Sequence, residues 1–484
     1  LYTLAAWAAA RFPDAPALVE REGSTTFREL VARADLIADA LGGRITPGGS
    51  VGLLGRNHVT FVAALLASQR LGLRAVLLNP FMSPRQTLQA CDGQALELVV
   101  LDDEFMPDLL KLNPQLRCWT TSQVRALRRK GVPRQRAPRR RGRLVVLSSG
   151  STGPPKAVSR HLRLWALLPT LAALVEQLRL RAHAPTLLTL PLFHGHGLST
   201  LAMSFALGAP LHLFARATPH DYCRALSEDG IEVLVAVPTV LHRLLEAPAL
   251  SRTGPLRTII CGSAPLGAAL AARVLSRFGS VLYNLYGTSE CGLVSLATPE
   301  HLLAAPDSVG YVLPGVNARV RRADGSRAAP GEIGEVVVHS GRFWGAPPLR
   351  TGDLGSLSAA GLLRLAGRQD DLLICGGENV SPEAVEARIA QLEYVRECAV
   401  IGVPSEEYGQ SLAALIVPRT TQPPLTRERL ELDFKRLLPR MLRPTQVTFM
   451  QELPRNALGK LLRRQLHLGE HARERRPTSP AEQD

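Results

Sequence analysis

Residues 144–156 read LVVLSSGSTGPPK, an apolar run that ends in hydroxyls, two glycines and a lysine. Gly150 and Gly153 let the main chain approach an anion closely, the hydroxyls of Ser148, Ser149, Ser151 and Thr152 can donate to its oxygens, and Lys156 adds charge. The chemistry such a loop offers is polyphosphate binding. It is not the GxxxxGK[ST] phosphate loop, because Pro155 and Ala157 flank Lys156 where glycine and a hydroxyl residue would be required. Taken alone, a Gly/Ser turn after a strand is more often just a turn.

The loop does not stand alone. Downstream come PLFHGHG at 191–197, GSAPL at 262–266, NLYGTSE at 284–290, TGD at 351–353, GRQDD at 367–371 and a terminal segment from Pro454 to Arg463 that contains Gly459 and Lys460. Seven motifs in this order resemble the signature of the adenylate-forming superfamily, which includes acyl-CoA synthetases, adenylation domains of peptide synthetases, and luciferases. The likeness runs from about Arg44 to Arg463. Ser289 stands where the family usually has threonine, which keeps the hydroxyl, and KAVSRH after the loop is one residue shorter than the family's KGVxxSH.

The resemblance implies attack of a carboxylate on the α-phosphorus of ATP, giving acyl-AMP and pyrophosphate. Both reactants are anions, so the site must bring cations and donors to them. By resemblance Lys460 bridges the carboxylate and the α-phosphate, Glu290 holds Mg²⁺ and Ser289 touches the α-phosphate. Asp353 accepts from the ribose hydroxyls with help from Arg368, Tyr286 stacks on adenine, and Gly262, Ser263, Ala264 and Pro265 border its edge. Asn284, Gly287 and Thr288 belong to the same nucleotide segment. The small domain then swings about a hinge at Asp370, withdraws Lys460 and presents Gly376, Gly377 and Glu378, where the glycines leave a channel for the pantetheine of coenzyme A. His194 lies beside the carboxylate and gates the thiol; His196 has no such claim and is as readily structural. Singly, each has a plainer reading: a solvated lysine, a turn aspartate, a core histidine.

An acyl pocket is expected from His194–Ser199, Val237–Val240, Cys261–Ala264 and Tyr286–Leu293, mostly small or apolar. No acidic residue stands in the His194 segment to pair with an ammonium, which disfavours an amino acid. Leu285 stands where malonate-activating relatives place an arginine, which disfavours a dicarboxylate. The substrate expected is an apolar acid, fatty or aromatic. Two alternatives remain: a ligase that loads the pantetheine of an acyl carrier protein, and a protein without catalysis that binds nucleotide or an anionic surface.

Short apolar runs alternating with helical patterns must position these residues. VGLLG, FVAALLASQRLG (61–72) and AVLLN read as strand, helix and strand, and LELVVLD, RLVVLSS, PTLLTL, APLHLFA, IEVLVAV and RTIICG as further strands. From about Gly310 shorter β-like pieces such as GEVVVHS and LLRLAG follow. VSPEAVEARIAQL reads as a helix opened by Ser381 and Pro382, ahead of the strands ECAVIGV and LAALIVP. The fold class is therefore α/β: a large N-terminal lobe of parallel-rich sheets with a β-rich subdomain (1–366), a hinge (367–371), a small mobile α+β domain (372–468) and a disordered tail (469–484).

The 484 residues exceed what one core supports, and 46% hydrophobic with 20% charged is ordinary globular composition. Much of the +15 net charge falls in 125–143, RALRRKGVPRQRAPRRRGR. Without interleaved aromatics this run reads as a solvated linker, and no nucleic acid is expected. Seven scattered cysteines without CxxC spacing suggest neither disulfides nor zinc and fit a cytoplasmic protein. The opening LYTLAAWAAARFPDAP reads as an amphipathic helix, not a signal peptide. Pro185 to Ala215 carries no charged residue, yet prolines and glycines divide it into a strand, a loop and a buried helix, so no membrane span is expected.

Overall fold

A computed structural model describes residues 1–128, 142–148, 156–159, 172–247, 254–288, 290–339, 348–375, 378–405, 409–419, 425–456 and 459–466. Within these, the larger part of the chain forms a thirteen-stranded sheet and a six-stranded sheet. In the six-stranded sheet Cys118–Thr120, Leu98–Leu101, Ser50–Leu54, Arg74–Leu77 and Arg143–Ser148 run parallel in that spatial order, and Lys156–Ser159 closes it antiparallel. Its strands are apolar on both faces because helices cover both, as parallel sheets require.

The larger sheet changes character along its width. Pro16–Glu20, Leu211–His212, Thr186–Leu188, Val233–Ala236, Thr258–Gly262 and Leu282–Thr288 are parallel neighbours. Beyond Leu282–Thr288 the ladder turns antiparallel through Gly292–Ala297, Ser308–Val312, Leu362–Arg368, Leu349–Leu357, Gly334–His339 and Asn317–Arg321. The β-rich region read from the sequence is thus a continuation of the main sheet, joined where the chain reverses at 288–292. Val233–Ala236 and Thr258–Gly262 are buried at every position.

Every strand named from the sequence in this lobe is present. The helix placed at 61–72 is Val59–Arg70 instead, because the imidazole of His58 caps it, accepting from the Phe61 N–H at 3.1 Å. The charge-free stretch resolves into the strand Thr186–Leu188, the helix Gly195–Leu207 and the strand Leu211–His212. No described helix is long and apolar enough to cross a membrane. All seven cysteines are free thiols.

In the C-terminal region Val395–Ser405 and Gly409–Pro418 form a long antiparallel pair, with Gln446–Phe449 parallel to the second. Helices Pro382–Ile389 and Arg427–Leu437 pack Val385, Ile389, Leu430 and Phe434 against Val400, Leu412, Ala414 and Ile416 of these strands. Ser381 stands at the N-cap as expected, but its hydroxyl donates to the Ala366 carbonyl at 2.7 Å and so ties this helix back to the large lobe. Most of the basic run (129–141) and the tail (469–484) lie outside the described residues.

Candidate active site

Three separate motifs converge on one carboxylate. Asp353 sits on Leu349–Leu357 in register with Arg368 on the neighbouring strand, and the Arg368 guanidinium donates to its Oδ1 at 3.0 Å. The Tyr286 hydroxyl, from Leu282–Thr288, donates to Oδ2 at 2.6 Å. Burial raises the pKa of Asp353, opposed first by the Tyr286 hydrogen bond and then by the charges of Arg368 and Lys460. Burial, followed by the Asp353 charge, pushes the Tyr286 phenol up. Gly352 has φ +72°, a conformation that favours glycine, and a Cβ there would press at 3.0 Å on the Arg368 guanidinium. A carboxylate fixed in this way is a ready acceptor for a pair of vicinal hydroxyls.

Two more charged groups influence the same carboxylate. Lys460, from the C-terminal region, and Glu290, from the turn between Leu282–Thr288 and Gly292–Ala297, both act electrostatically on Asp353. The Cys291 N–H donates to the Thr288 hydroxyl at 2.9 Å and shapes that turn, leaving Glu290 exposed. Gly459, just before Lys460, packs so tightly on Thr239 of the large lobe that a Cβ would collide with its hydroxyl. The two lobes therefore meet at the residue that precedes Lys460. No described group of three His, Cys, Asp or Glu side chains is arranged to hold an ion. Mg²⁺ bound by one carboxylate and substrate phosphates needs no such cage, and exposed Glu290, whose charge acts on Asp353, fits that role.

His194 and His196 take different positions because they lie two residues apart at the start of the helix Gly195–Leu207, on opposite sides of its first turn. The His194 ring stacks on Phe193 with centroids 4.1 Å apart. His196 bonds Ser263 through Nδ1 at 3.1 Å. Ser263 holds φ +69°, a left-handed conformation that costs a non-glycine residue about 1 kcal/mol or more. Gly262 before it could not carry a Cβ, which would lie 2.7 Å from the Leu285 carbonyl. The GSAPL loop is thus held in a strained turn against His196, whose ring, read from the sequence, is as readily structural.

Behind His196 opens an apolar cavity of about 80 Å³. His196, Ser199 and Leu293 line it as expected, but so do Leu174, Met203 and Val235, which sequence reading missed. They were missed because nothing separates such residues from ordinary core. Val237, Thr239 and Val240 do not line it; they face a second cavity of about 820 Å³ between the lobes.

The remaining predicted residues are distributed as follows. Asn284 is buried and donates to the Ser308 carbonyl at 3.3 Å, a contact within the sheet. A Cβ on Gly287 would collide with the Gly292 carbonyl, so the hairpin carrying Glu290 depends on that glycine. Ala264 and Pro265 follow Ser263 in the same loop. Ser148 and Lys156 are main-chain partners at the ends of two paired strands, and Glu378 pairs with Cys375. Ser149, Gly150, Ser151, Thr152, Gly153, Ser289, Gly376 and Gly377 lie outside the described residues. Asp370 is exposed in the turn Gln369–Asp371. Beside it Asp371 lies 3.7 Å from Arg463, whose guanidinium also binds Glu383 at 3.0 Å and Glu386 at 2.8 Å.

Burial lowers both imidazoles, His194 and His196, from the ordinary 6.5 to about 4. Both are neutral at pH 7. Between those pH values the unfolded chain binds protons that the folded chain does not, so stability falls as pH drops from 6.5 to 4 and is level above. His196→Gln removes one such group, and its unfolding midpoint is expected to fall less steeply over that interval than the wild type's. Equal slopes in thermal melts taken across the interval would contradict the burial described for this ring.

Comparison with known proteins agrees with this geometry. The family model described as AMP-binding enzyme matches residues 5–343, and that of the AMP-binding enzyme C-terminal domain matches 384–460. The chain is 27% identical to a 2-succinylbenzoate–CoA ligase of Lactococcus lactis, over 91% of this chain and 95% of that protein. It is 26% identical to a fatty acid–[acyl-carrier-protein] ligase of Streptomyces coeruleorubidus, over 94% of this chain and 93% of that one. Among solved structures, o-succinylbenzoate CoA synthetase of Bacillus subtilis in complex with its acyl-adenylate intermediate superposes with a TM-score of 0.81 at 26% identity, covering 96% of this chain and 97% of the other. The same synthetase with ATP and magnesium ion gives 0.82 at 26%, covering 96% and 98%.

Proposed function

The chain belongs to the family of AMP-binding enzymes, and from that premise we propose that the pocket around Asp353 activates a carboxylic acid as its adenylate. The enzyme is an AMP-forming acid–thiol ligase that uses ATP, Mg²⁺ and coenzyme A. A carboxylate oxygen bonds to the α-phosphorus, the bond from that phosphorus to the bridging oxygen breaks, and pyrophosphate leaves. The thiol then bonds to the acyl carbon, AMP leaves, and the thiol proton passes to a base; neutral His194 and His196 are both able to accept it. Mg²⁺ on Glu290 would supply positive charge to the polyphosphate. The observation that supports this reading is the Asp353 carboxylate held by Tyr286 and Arg368, with the charges of Lys460 and Glu290 acting on it.

We assign the large lobe to 1–366, the hinge to 367–371 and the small domain to 372–468. The phosphate loop from Ser148 to Lys156 and Ser289 would complete the triphosphate site, and Gly376 and Gly377 the pantetheine channel. The apolar lining behind His196, in which exposed Arg181 is the sole charged side chain among described residues, favours a fatty or aromatic acid.

The interlobe cavity favours free coenzyme A as acceptor. Its large-lobe wall includes Arg56, Phe81, Phe193, Phe214, Arg216 and Arg243. The Arg56 guanidinium lies 5.7 Å over Phe81, and Arg56 and Arg216 share the single carboxylate of Glu104. Guanidinium groups beside aromatic faces suit a purine-bearing polyphosphate better than a protein-borne arm. Loss of one charge-assisted contact costs about 1.5 kcal/mol or more, so Arg216→Ala is expected to raise KM for coenzyme A ~10-fold with KM for ATP unmoved. Steady-state kinetics read this directly. An unmoved KM for coenzyme A would remove this wall from the acceptor's path. Formation of acyl-AMP without acyl-CoA, but with loading of a carrier protein, would favour the second reading, which the Streptomyces relative's name supports.

A further inference from the structure

Lys460 stands on a short hairpin whose arms place Leu453 and Leu461 against Ala399, Leu415 and Val417 of the small domain's sheet, while polar bonds within it set its shape. The Asn456 N–H donates to the Lys460 carbonyl and the Lys460 N–H to the Asn456 side-chain oxygen, each at 2.9 Å. The Gly459 N–H donates to the Asn456 carbonyl at 2.8 Å, and Arg455 and Leu461 form an antiparallel bridge. These bonds give the hairpin its shape. They hold Lys460 to Asn456 and leave its polar link to the sheet to a neighbouring side chain.

Arg455 supplies that link. Its Nη1 donates to the Gly459 carbonyl, next to Lys460, at 2.7 Å, while Nε and Nη2 donate to Glu397 Oε2 at 3.2 and 2.9 Å. Glu397 lies on Val395–Ser405 in register with Val417 of the partner strand, so its main chain belongs to the small domain's sheet. The guanidinium thus forks between the lysine hairpin and the sheet. Both side chains are largely screened from water, at 29% and 20% exposed, where such pairs hold more firmly than on an open surface.

We propose that Arg455, anchored by Glu397, is a positioning residue that aims Lys460 at the reacting phosphate. The inference rests on the reading of Lys460 as the adenylation lysine. Misplacing a reacting group by about 1 Å costs on the order of 10²-fold in rate. A hairpin still shaped by its own bonds should lose less, so Arg455→Ala is expected to lower kcat for carboxylate-dependent pyrophosphate exchange ~10-fold with KM for ATP near wild type. Glu397→Gln should produce a smaller loss of the same kind. Because the two act through one link, the double variant Arg455→Ala/Glu397→Ala should be no slower than Arg455→Ala alone. Because Arg455 and Glu397 also line the interlobe cavity, transfer of the acyl group from synthetic acyl-AMP is read at saturating coenzyme A, where its kcat should be spared on the proposed hinge motion. A purely structural arginine predicts otherwise: both half reactions and the melting temperature fall together. That pattern, or wild-type exchange in a folded Arg455→Ala, overturns the proposal. If Lys460→Ala itself exchanges normally, the underlying reading of Lys460 fails instead, and the two failures are told apart.

Discussion

Lys460→Ala is expected to lower carboxylate-dependent exchange of pyrophosphate into ATP by at least ~10²-fold, by analogy with removing one preorganised donor from a developing charge. The side chain is exposed, and the contact holding its residue in place is made by the main chain to Asn456, so the variant should fold. The effect belongs to kcat, because an ammonium group between two anions contributes most where their charges are driven together. Acyl transfer from preformed acyl-AMP should survive if the proposed hinge at 367–371 withdraws the lysine before that step. Retained exchange in a folded Lys460→Ala would refute its assignment, and equal loss in both half reactions would refute the division of labour between the domain's two faces.

The second large effect lies at Asp353. Its two oxygens are organised by Tyr286 and Arg368, and a ribose with two hydroxyls would find both already oriented. Asp353→Asn removes the charge that makes these bonds strong and leaves the Arg368 guanidinium without its ion pair. Hydrogen bonds to charged groups contribute about 1.5–3 kcal/mol each, so kcat/KM for ATP should fall ~10²-fold. Nucleotides lacking the ribose hydroxyls should discriminate poorly between wild type and variant. A variant that binds ATP as tightly as wild type, measured calorimetrically, would show that Asp353 is a structural link between strands and no more.

What was legible in the sequence was the chemistry that residue types carry. Gly352, Asp353 and Arg368 could be named because TGD and GRQDD stand in the order of the superfamily's motifs. Helical and strand periods placed the parallel sheets, and His58 as a cap was missed because histidine seldom serves as one. Three-dimensional placement was less legible. His194 and His196 look alike in the string PLFHGHG, and only the turn of the helix shows that His196 meets Ser263 and the apolar cavity. The lining from Leu174, Met203 and Val235 reads as core in any sequence. The continuity of the antiparallel strands with the parallel sheet depends on pairing between distant segments, which local pattern does not carry. Arg455 sat within a recognised motif, yet its partner Glu397 is 58 residues away.

The most direct test is exchange of labelled pyrophosphate into ATP by the purified protein with Mg²⁺, across a panel of fatty and aromatic acids. The account predicts exchange that requires the carboxylate and the metal, and rises with the acid's apolar fit to the cavity behind His196. No exchange with any acid, from folded protein, would contradict it.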